Sequence, residues 1–585
     1  MIICGIKLTH DGAVALIDNG KLIFSYEMEK LDNKPRHSDF SITLEKVEDI
    51  LSSHGYRLKE VDSLVFDGWD FYTMNAHLSA DEREQLSFKV AINAEDSLVI
   101  NQIADYGHFV GKTENILKQE SFEVAAYNLA YKSYKHISSH VFSAYCTSPF
   151  AKRGEDSYIL VWDGGMPPQL FYYNYKKNAV ENLGSLFPFM GYMYIIFSQE
   201  FEPFNLVKKG DLSVAGKVMA YVALGEFDAL IMDKFREIYT ELMEDVGYDT
   251  IDIDQVMKIT NEFTRRSKEF CDSQKISHAN MLTTFHVFLQ ELLIENLEHK
   301  VKETPDLVKN LCFSGGSALN IKWNSAIRNS GIFNETWVPP FPNDAGCAIG
   351  TACCEMIVSD NLRALEWNVY SGPPVVESNP TESEYLFNDC TLEDLANILF
   401  EYNEPVVFIN GSAEMGPRSL GNRSILSPAV SPDMKKVLNK IKGREDYRPV
   451  APICLEENAM EVFDPGMPDP YMLYEHIVRK DWKDKVAAIC HLDGTARLQT
   501  VNKNQNAAIH ELLTHYKELS GIPLLCNTSA NFNGKGFFPD VKSVMQWGKV
   551  NFIWNHGRIY FKKDCPYAKK LSKTNGDYAQ ITEND

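Results

Sequence analysis

His136 and His140 stand four residues apart, the spacing that sets two imidazoles on one face of a helix, within reach of a single ion. The run Pro339-Pro340-Phe341-Pro342-Asn343-Asp344-Ala345-Gly346 is a turn that projects a carboxylate. Two imidazoles and one carboxylate leave coordination positions open, which suits a divalent metal holding a substrate or phosphate oxygen. Taken singly, the histidines also read as one capping and one buried residue, and Asp344 as a turn or cap. Ser314-Gly315-Gly316-Ser317, leading into Ala318-Leu319-Asn320, combines a strand end, two glycines and a helix start. Such a loop lets backbone N–H groups approach a phosphate or nucleoside, with a plain strand-to-helix turn as the competing reading.

A third constellation lies near the C-terminus. Arg418, Arg423, Lys442, Arg444, Arg448 and Arg497 place six cations within 80 residues, in the segments Glu414–Ser424, Lys442–Arg448 and Asp493–Arg497. Fork-shaped guanidiniums suit phosphate, and the Gly and Pro spacing around them fixes loop geometry in a way that solvated ion pairs with Glu414, Glu445 and Asp493 would not need. The chain has neither a Walker A motif nor a GxSxG elbow, and no cysteine sits in a cationic or helix-start context.

These cations stand out against an acidic background. The formal net charge is −22 over 585 residues, which disfavours a nucleic-acid partner, because such binding depends on clustered Lys and Arg. The twelve cysteines are scattered, with no CxxC pair, and read as small buried residues in a reducing compartment. Met1–Leu8 is too short for a signal segment, and no run approaches the ~18 apolar residues of a membrane helix. A cytoplasmic protein without a membrane partner is expected, with a homodimer as the default assembly.

The elements that must position these residues read as α/β, in two or more domains. Ile2–Leu8, Ala13–Asp18 and Lys21–Glu27 read as strands, with His10-Asp11-Gly12 and Asn19-Gly20 as turns. An echo begins at Tyr158, where a strand runs into Asp163-Gly164-Gly165 and is followed by Leu170–Tyr175. Two strands that each deliver an acidic, Gly-bearing turn point to a duplicated nucleotide-binding core. Phe122–Ala144 is compatible with a helix carrying both histidines. A long amphipathic helix is expected over Thr283–Lys302, followed by a strand at Lys309–Phe313. The segment Tyr370–Ser383, rich in Gly, Pro and Ser, reads as a linker, with helix Leu392–Tyr402 and strand Pro405–Asn410 opening the next domain. The tail after Lys569 reads as flexible.

With these pieces in order, the sequence resembles the O-carbamoyltransferases of nodulation and antibiotic tailoring, which join a Kae1-like domain of the actin-like ATPase fold to a YrdC-like domain. The resemblance covers nearly the whole chain. It is carried by EMGPRSLGNRSIL (414–426), NKIKGREDYRPVAP (439–452), HLDGTARLQTV (491–501) and GIPLLCNTSAN (521–531). In the N-terminal half it is carried by His10-Asp11, HISSHVFSAY (136–145), WDGG (162–165), AGKVMAY (215–221), FSGGSALNIKWN (313–324) and PNDAGCAIG (342–350). Two stretches depart from the family pattern: Glu29-Lys30-Leu31, where an acidic pair and an arginine are common, and Lys535-Gly536, where an acidic residue and a proline are usual.

The resemblance implies an N-terminal duplicated actin-like (Kae1-like) domain over 1–368, a linker over 369–385, a C-terminal α/β YrdC-like domain over 386–570, and a flexible tail over 571–585. It implies that the C-terminal domain makes carbamoyl adenylate from carbamoyl phosphate and ATP, with Arg418, Arg423, Lys442, Arg448 and Arg497 holding the anions and Asn527, Thr528 and Ser529 adding polar contacts. Lys442 and Arg448 are the catalytic candidates there. The N-terminal domain would pass the carbamoyl group to a hydroxyl of a small molecule, a natural product or sugar. There Gly164, Gly165, Gly315, Gly316 and Asn320 would contact adenosine, and His136, His140 and Asp344 would bind a divalent metal, Fe²⁺ by analogy, with Mg²⁺ a further candidate. His10 is the candidate general base, since imidazole titrates near working pH, with Asp11 orienting it. The competing readings are a tRNA threonylcarbamoylation enzyme, disfavoured by the acidic charge, and a nucleotide-sensing scaffold without catalysis. A hydrogenase-maturation carbamoyltransferase is disfavoured because zinc-finger cysteine pairs and an acylphosphatase module are missing.

Overall fold

In a computed structural model the chain forms two compact units, one made of Met1–Met28 and His37–Asn368, the other of Glu29–Arg36 and Val369–Asp585. The structure describes residues 1–68, 88–103, 115–124, 129–244, 246, 253–378 and 384–571.

The first unit contains two sheets built to one plan. In the first, β1 (Ile2–Lys7), β2 (Ala13–Asp18), β3 (Lys21–Glu27), β4 (Ser63–Asp67), β5 (Gln119–Val124) and β6 (Leu129–Tyr134) lie in the order β3-β2-β1-β4-β6-β5. β2 runs antiparallel to both β1 and β3, whereas β1, β4 and β6 are parallel. In the second, β7 (Ser157–Val161), β8 (Gln169–Asn174), β9 (Ala179–Ser185), β10 (Asn310–Ser314) and β11 (Glu335–Trp337) follow the order β9-β8-β7-β10-β11, with the same senses. This repeat of an antiparallel hairpin pair joined to parallel strands is the duplicated actin-like fold. Asn19 (φ +47°) and Gly20 (φ +79°) both take the left-handed conformation that a tight hairpin between β2 and β3 requires.

One expectation is corrected. Phe122–Ala144 is not a single helix: its first part contributes to β5 and β6, antiparallel strands in which Phe122 pairs with Tyr131, and the helix α1 (His136–Cys146) begins only at the first histidine. Alternating aromatic and polar residues fit a pleated sheet better than a helical stripe. The long helix extends over His278–Glu303 rather than Thr283–Lys302.

α1 is buried on every side and packs against α2 (Cys347–Asp360), which is itself buried from Cys347 to Ile357. Their close approach depends on small residues. A Cβ on Gly350 would sit 2.0 Å from the Ser139 carbonyl oxygen, next to His140. Gly350→Ala is therefore expected to force the helices apart, costing about 1–3 kcal/mol in a denaturant titration and lowering bound metal, because His140 and the turn before α2 would lose their register.

The second unit is α/β, around a mixed eight-stranded sheet. Its strands are β12 (Tyr385–Asp389), β13 (Val406–Ile409), β14 (Arg423–Ser427), β15 (Ala451–Leu455), β16 (Gln499–Val501), β17 (Leu524–Ser529), β18 (Phe552–Asn555) and β19 (Arg558–Lys562). They lie in the order β12-β19-β18-β13-β14-β17-β15-β16. Helix Leu392–Tyr402 forms as expected, started by a reciprocal Thr391–Asp394 capping box. The stretch expected to be a linker is instead fastened to this unit: the amides of Gly372, Val375 and Val376 donate to the carbonyls of Ala413, Gly411 and Pro539. Residues 379–383 and the expected tail from 572 lie outside the described residues.

Candidate active site

In the first unit, loops after equivalent strands converge with α1. His136 and His140 come from successive turns of α1, and Asp344 from the turn that leads into α2. The Nε2 atoms of His136 and His140 lie 3.6 and 3.4 Å from Asp344 Oδ1, and all three residues are buried. Donors sharing one ion with bond lengths of about 2.1 Å stand roughly 3.0–3.5 Å apart, so this set fits a metal. The Nδ1 of His136 meets Asp67 Oδ2 at 2.8 Å, which orients the ring and directs Nε2 at the shared position. Cys347 completes a group whose donor atoms all lie within 4.8 Å of one another, with its Sγ 3.8 Å from His140 Nε2. The expectation that no cysteine stands at a helix start is corrected here, since Cys347 opens α2 directly after the Asp344 turn.

Sequence reasoning also passed over Lys7. Its side chain is buried at the end of β1, its Nζ lies 3.1 Å from both Asp67 and Asp344, and it donates to Thr9 Oγ1 at 2.5 Å. A lysine closing the apolar strand IICGI was the available signal. Burial acts to lower the His136 pKa, but the Asp67 and Asp344 carboxylates outweigh it and raise the group to about 9. Burial likewise acts to raise the pKa of Asp344, yet Lys7, His136 and His10 hold it well below the ordinary carboxylate range. The pocket is thus built around an ionised Asp344, the form a cation requires.

His10 and Asp11 sit beside this group. His10 Nε2 is 3.6 Å from Asp344 Oδ2, and its Nδ1 is 3.1 Å from Asp11 Oδ2. Asp11 holds a left-handed backbone (φ +57°), and its other oxygen meets His37 Nδ1 at 2.9 Å. Burial acts to raise Asp11, but these two imidazoles bring it down to about 2. For His10, burial acts downward, and Asp344 and Asp11 produce a net rise. Adjacent cationic charge on Asp344 would reverse part of that rise and favour the neutral, proton-accepting imidazole.

The glycine loops lie at the ends of β7 and β10, but their amides are already engaged. Gly316 N–H donates to Asp163 Oδ1 at 2.7 Å and Gly315 N–H to the Pro342 carbonyl at 2.7 Å. Asn320 caps the following helix, accepting from the amides of Lys322 and Trp323. The expectation that Gly315 and Gly316 offer N–H groups to a phosphate is therefore corrected. What these residues provide is close approach, since Gly315 (φ +93°) packs against the Trp162 carbonyl with no room for a Cβ. Gly164 and Gly165 are partly exposed on the facing turn. Asp163, the acidic residue of the turn after β7, fastens the two loops and lies 4.0 Å from His140 Nε2.

In the second unit the cationic residues gather without carboxylates in direct contact, although Glu445 acts from further off on Arg444 and Arg448, and Asp469 on Arg497. Among the described residues, none of Arg418, Lys442, Arg444, Arg448 and Arg497 makes an ion pair, and the buried Nε atoms of Arg418 and Arg497 make no hydrogen bond. Burial first, and then Arg497, Arg36, Arg448 and Arg444, depress Arg418 well below its ordinary value. Burial and neighbouring arginines bring Arg444 down to about 9 and Arg497 to about 10. A cluster of this kind suits an anionic ligand. Glu414 is not a surface ion-pair partner: fully buried, its Oε1 accepts the amides of Leu420, Asn422 and Arg423 and so shapes the Arg418 loop.

Two expected anion ligands are otherwise occupied. The Arg423 guanidinium is buried and donates to the carbonyls of Asn410, Asn422, Pro373 and Gly411. Lys442 donates to the carbonyls of Ser529 and Asn531 and to Asn531 Oδ1, which takes all three of its protons. These two residues brace the site, whereas Arg418, Arg448 and Arg497 remain open to a ligand. Asn527, Thr528 and Ser529 at the end of β17 join the cationic loops: Asn527 Nδ2 donates to Ser419 and Gln499, and Thr528 Oγ1 accepts from Arg444.

A family model described as Carbamoyltransferase N-terminus matches residues 2–353, and one described as Carbamoyltransferase C-terminus matches residues 397–551. The chain belongs to the carbamoyltransferase family. This carbamoyltransferase is 40% identical to Nodulation protein U of Bradyrhizobium diazoefficiens over 98% of its own length and 100% of the relative's. It is 42% identical to Nodulation protein U of Rhizobium tropici over 96% of each chain. A 3'-hydroxymethylcephem-O-carbamoyltransferase of Amycolatopsis lactamdurans is 30% identical over 92% of this chain and 94% of the relative. The carbamoyltransferase is accordingly an enzyme, and no helix among its described residues is long and apolar enough to cross a membrane.

Proposed function

We propose that the enzyme is an ATP-dependent O-carbamoyltransferase that divides its reaction between the two units. In the second unit, water hydrolyses carbamoyl phosphate, cleaving its carbonyl–phosphate link to give phosphate and carbamate. The carbamate oxygen attacks the α-phosphorus of ATP, the bond to the bridging oxygen breaks, and pyrophosphate leaves carbamoyl adenylate behind. Arg418, Arg448 and Arg497 stabilise the developing charge, with Lys442 and Arg423 fixing the loops that carry them. In the first unit, the acceptor hydroxyl attacks the carbamoyl carbon, its proton passes to His10, and AMP leaves as a carbamate ester forms. Asp11 holds the imidazole in the accepting orientation. The metal that His136, His140 and Asp344 would hold, Fe²⁺ by analogy with the family, supplies Lewis acidity toward a carbonyl or phosphate oxygen.

The observation that carries this reading is the presence of two differently built sites: a buried two-histidine, one-carboxylate group beside His10, and a cluster of cations that depress one another's pKa values. The choice of a hydroxyl acceptor is supported by the relative that acts on a hydroxymethylcephem. The acceptor here is a small molecule, a natural product or sugar. In the test, the enzyme is incubated with ATP, carbamoyl phosphate and a panel of sugars and hydroxymethyl compounds. AMP, pyrophosphate and carbamate ester should form in equal amounts; ADP as the nucleotide product would contradict the adenylate route.

A further inference from the structure

Residues 29–36 interrupt the first unit and belong structurally to the second. Lys30 Nζ donates to the carbonyls of Glu414 and Gly416, at 2.7 and 2.6 Å, at the start of the loop that carries Arg418. The rest of the segment lies along the loop after β17: Pro35 bridges Lys535, Arg36 N–H donates to the Gly534 carbonyl, and Gly536 N–H donates to the Lys34 carbonyl. Gly536 is required there, since a Cβ would lie 1.6 Å from the Glu29 carbonyl oxygen. The two stretches that depart from the family pattern are therefore packed against each other.

The segment brings Arg36 to the cation cluster. The loop it pairs with also holds Asn531, which accepts from Lys442 and donates to the Lys535 carbonyl, and Arg36 Nε points at that same carbonyl from 3.4 Å. Arg36 is exposed, and among the described residues it has no carboxylate partner. We propose that Arg36 is an additional phosphate-binding residue of the second unit, placed at the rim of the cluster to hold the outer phosphates of the nucleotide, which leave as pyrophosphate. After burial and Arg444, Arg36 is the next charge that depresses Lys442, and it acts likewise on Arg418 and Arg444, so its field reaches the same volume. An exposed guanidinium suits a leaving anion, because it adds affinity without closing the exit to water.

This inference rests on the adenylate-forming reading of the cluster, and binding measurements separate the two. Inorganic pyrophosphate and AMP are titrated into the intact enzyme by calorimetry, together with Arg36→Gln, Arg36→Lys and Arg418→Ala. Arg36→Gln should weaken pyrophosphate about tenfold, leave AMP unchanged, keep the unfolding midpoint, and be partly restored by Arg36→Lys. If Arg418→Ala weakens pyrophosphate binding and Arg36→Gln does not, the role of Arg36 is overturned while the cluster reading stands. If the unaltered enzyme binds no pyrophosphate, both fall.

Discussion

Replacing His140 by alanine is expected to lower carbamoyl transfer about a thousandfold while pyrophosphate formation stays within about twofold of the unaltered enzyme. The magnitude follows from losing one donor to the proposed metal, which would contribute several kcal/mol of charge stabilisation, at 1.36 kcal/mol per decade. Selectivity between half-reactions is expected because His140 belongs wholly to the first unit, among Asp344, Asp163 and Cys347. Bound metal, measured on the purified variant, should fall with transfer. A general folding defect would lower both half-reactions together and shift the unfolding midpoint, and chelation of the unaltered enzyme should reproduce the variant's phenotype.

The opposite pattern is expected for Arg418→Ala. Its guanidinium is aimed into the cluster without a carboxylate partner, so its loss should slow adenylate formation by about 10²–10³-fold. The loop that carries it is held by Glu414 and by Lys30, not by Arg418 itself, so the fold should survive. Supplying carbamoyl adenylate directly should restore ester formation in this variant. Arg418→Lys should recover only part of the rate, because an ammonium keeps the charge but not the fork. If Arg418→Ala also loses ester formation from supplied adenylate, the division between units is wrong.

Much of this arrangement was legible in the chain. The His136/His140 spacing and the Asp344 turn are local signals, and a helix and a 3₁₀ turn deliver them to one point. The repeated acidic glycine turns at Asp11 and Asp163 foretold two sheets on one plan. What could not be read is long-range. Lys7, Asp67 and Cys347 are remote in sequence from one another and meet only when β1, β4 and α2 pack together. Arg423 and Lys442 looked like their neighbours Arg418 and Arg448, and only tertiary structure shows that carbonyls occupy them. The helix expected over Phe122–Ala144 failed because apolar content alone does not separate a buried helix from paired strands. The attachment of residues 29–36 to the second unit has no sequence signal beyond two matched departures from the family pattern, Glu29-Lys30-Leu31 and Lys535-Gly536.

Carbamoyl adenylate is expected to form in the second unit before any acceptor is engaged. Exchange of labelled pyrophosphate into ATP, measured on the intact enzyme with no acceptor and with carbamoyl phosphate either present or omitted, tests it most directly. Exchange that requires carbamoyl phosphate, persists in His140→Ala and is lost in Arg418→Ala is the predicted result. Absence of exchange with carbamoyl phosphate and iron supplied, or exchange abolished by His140→Ala while its fold is intact, would contradict the account.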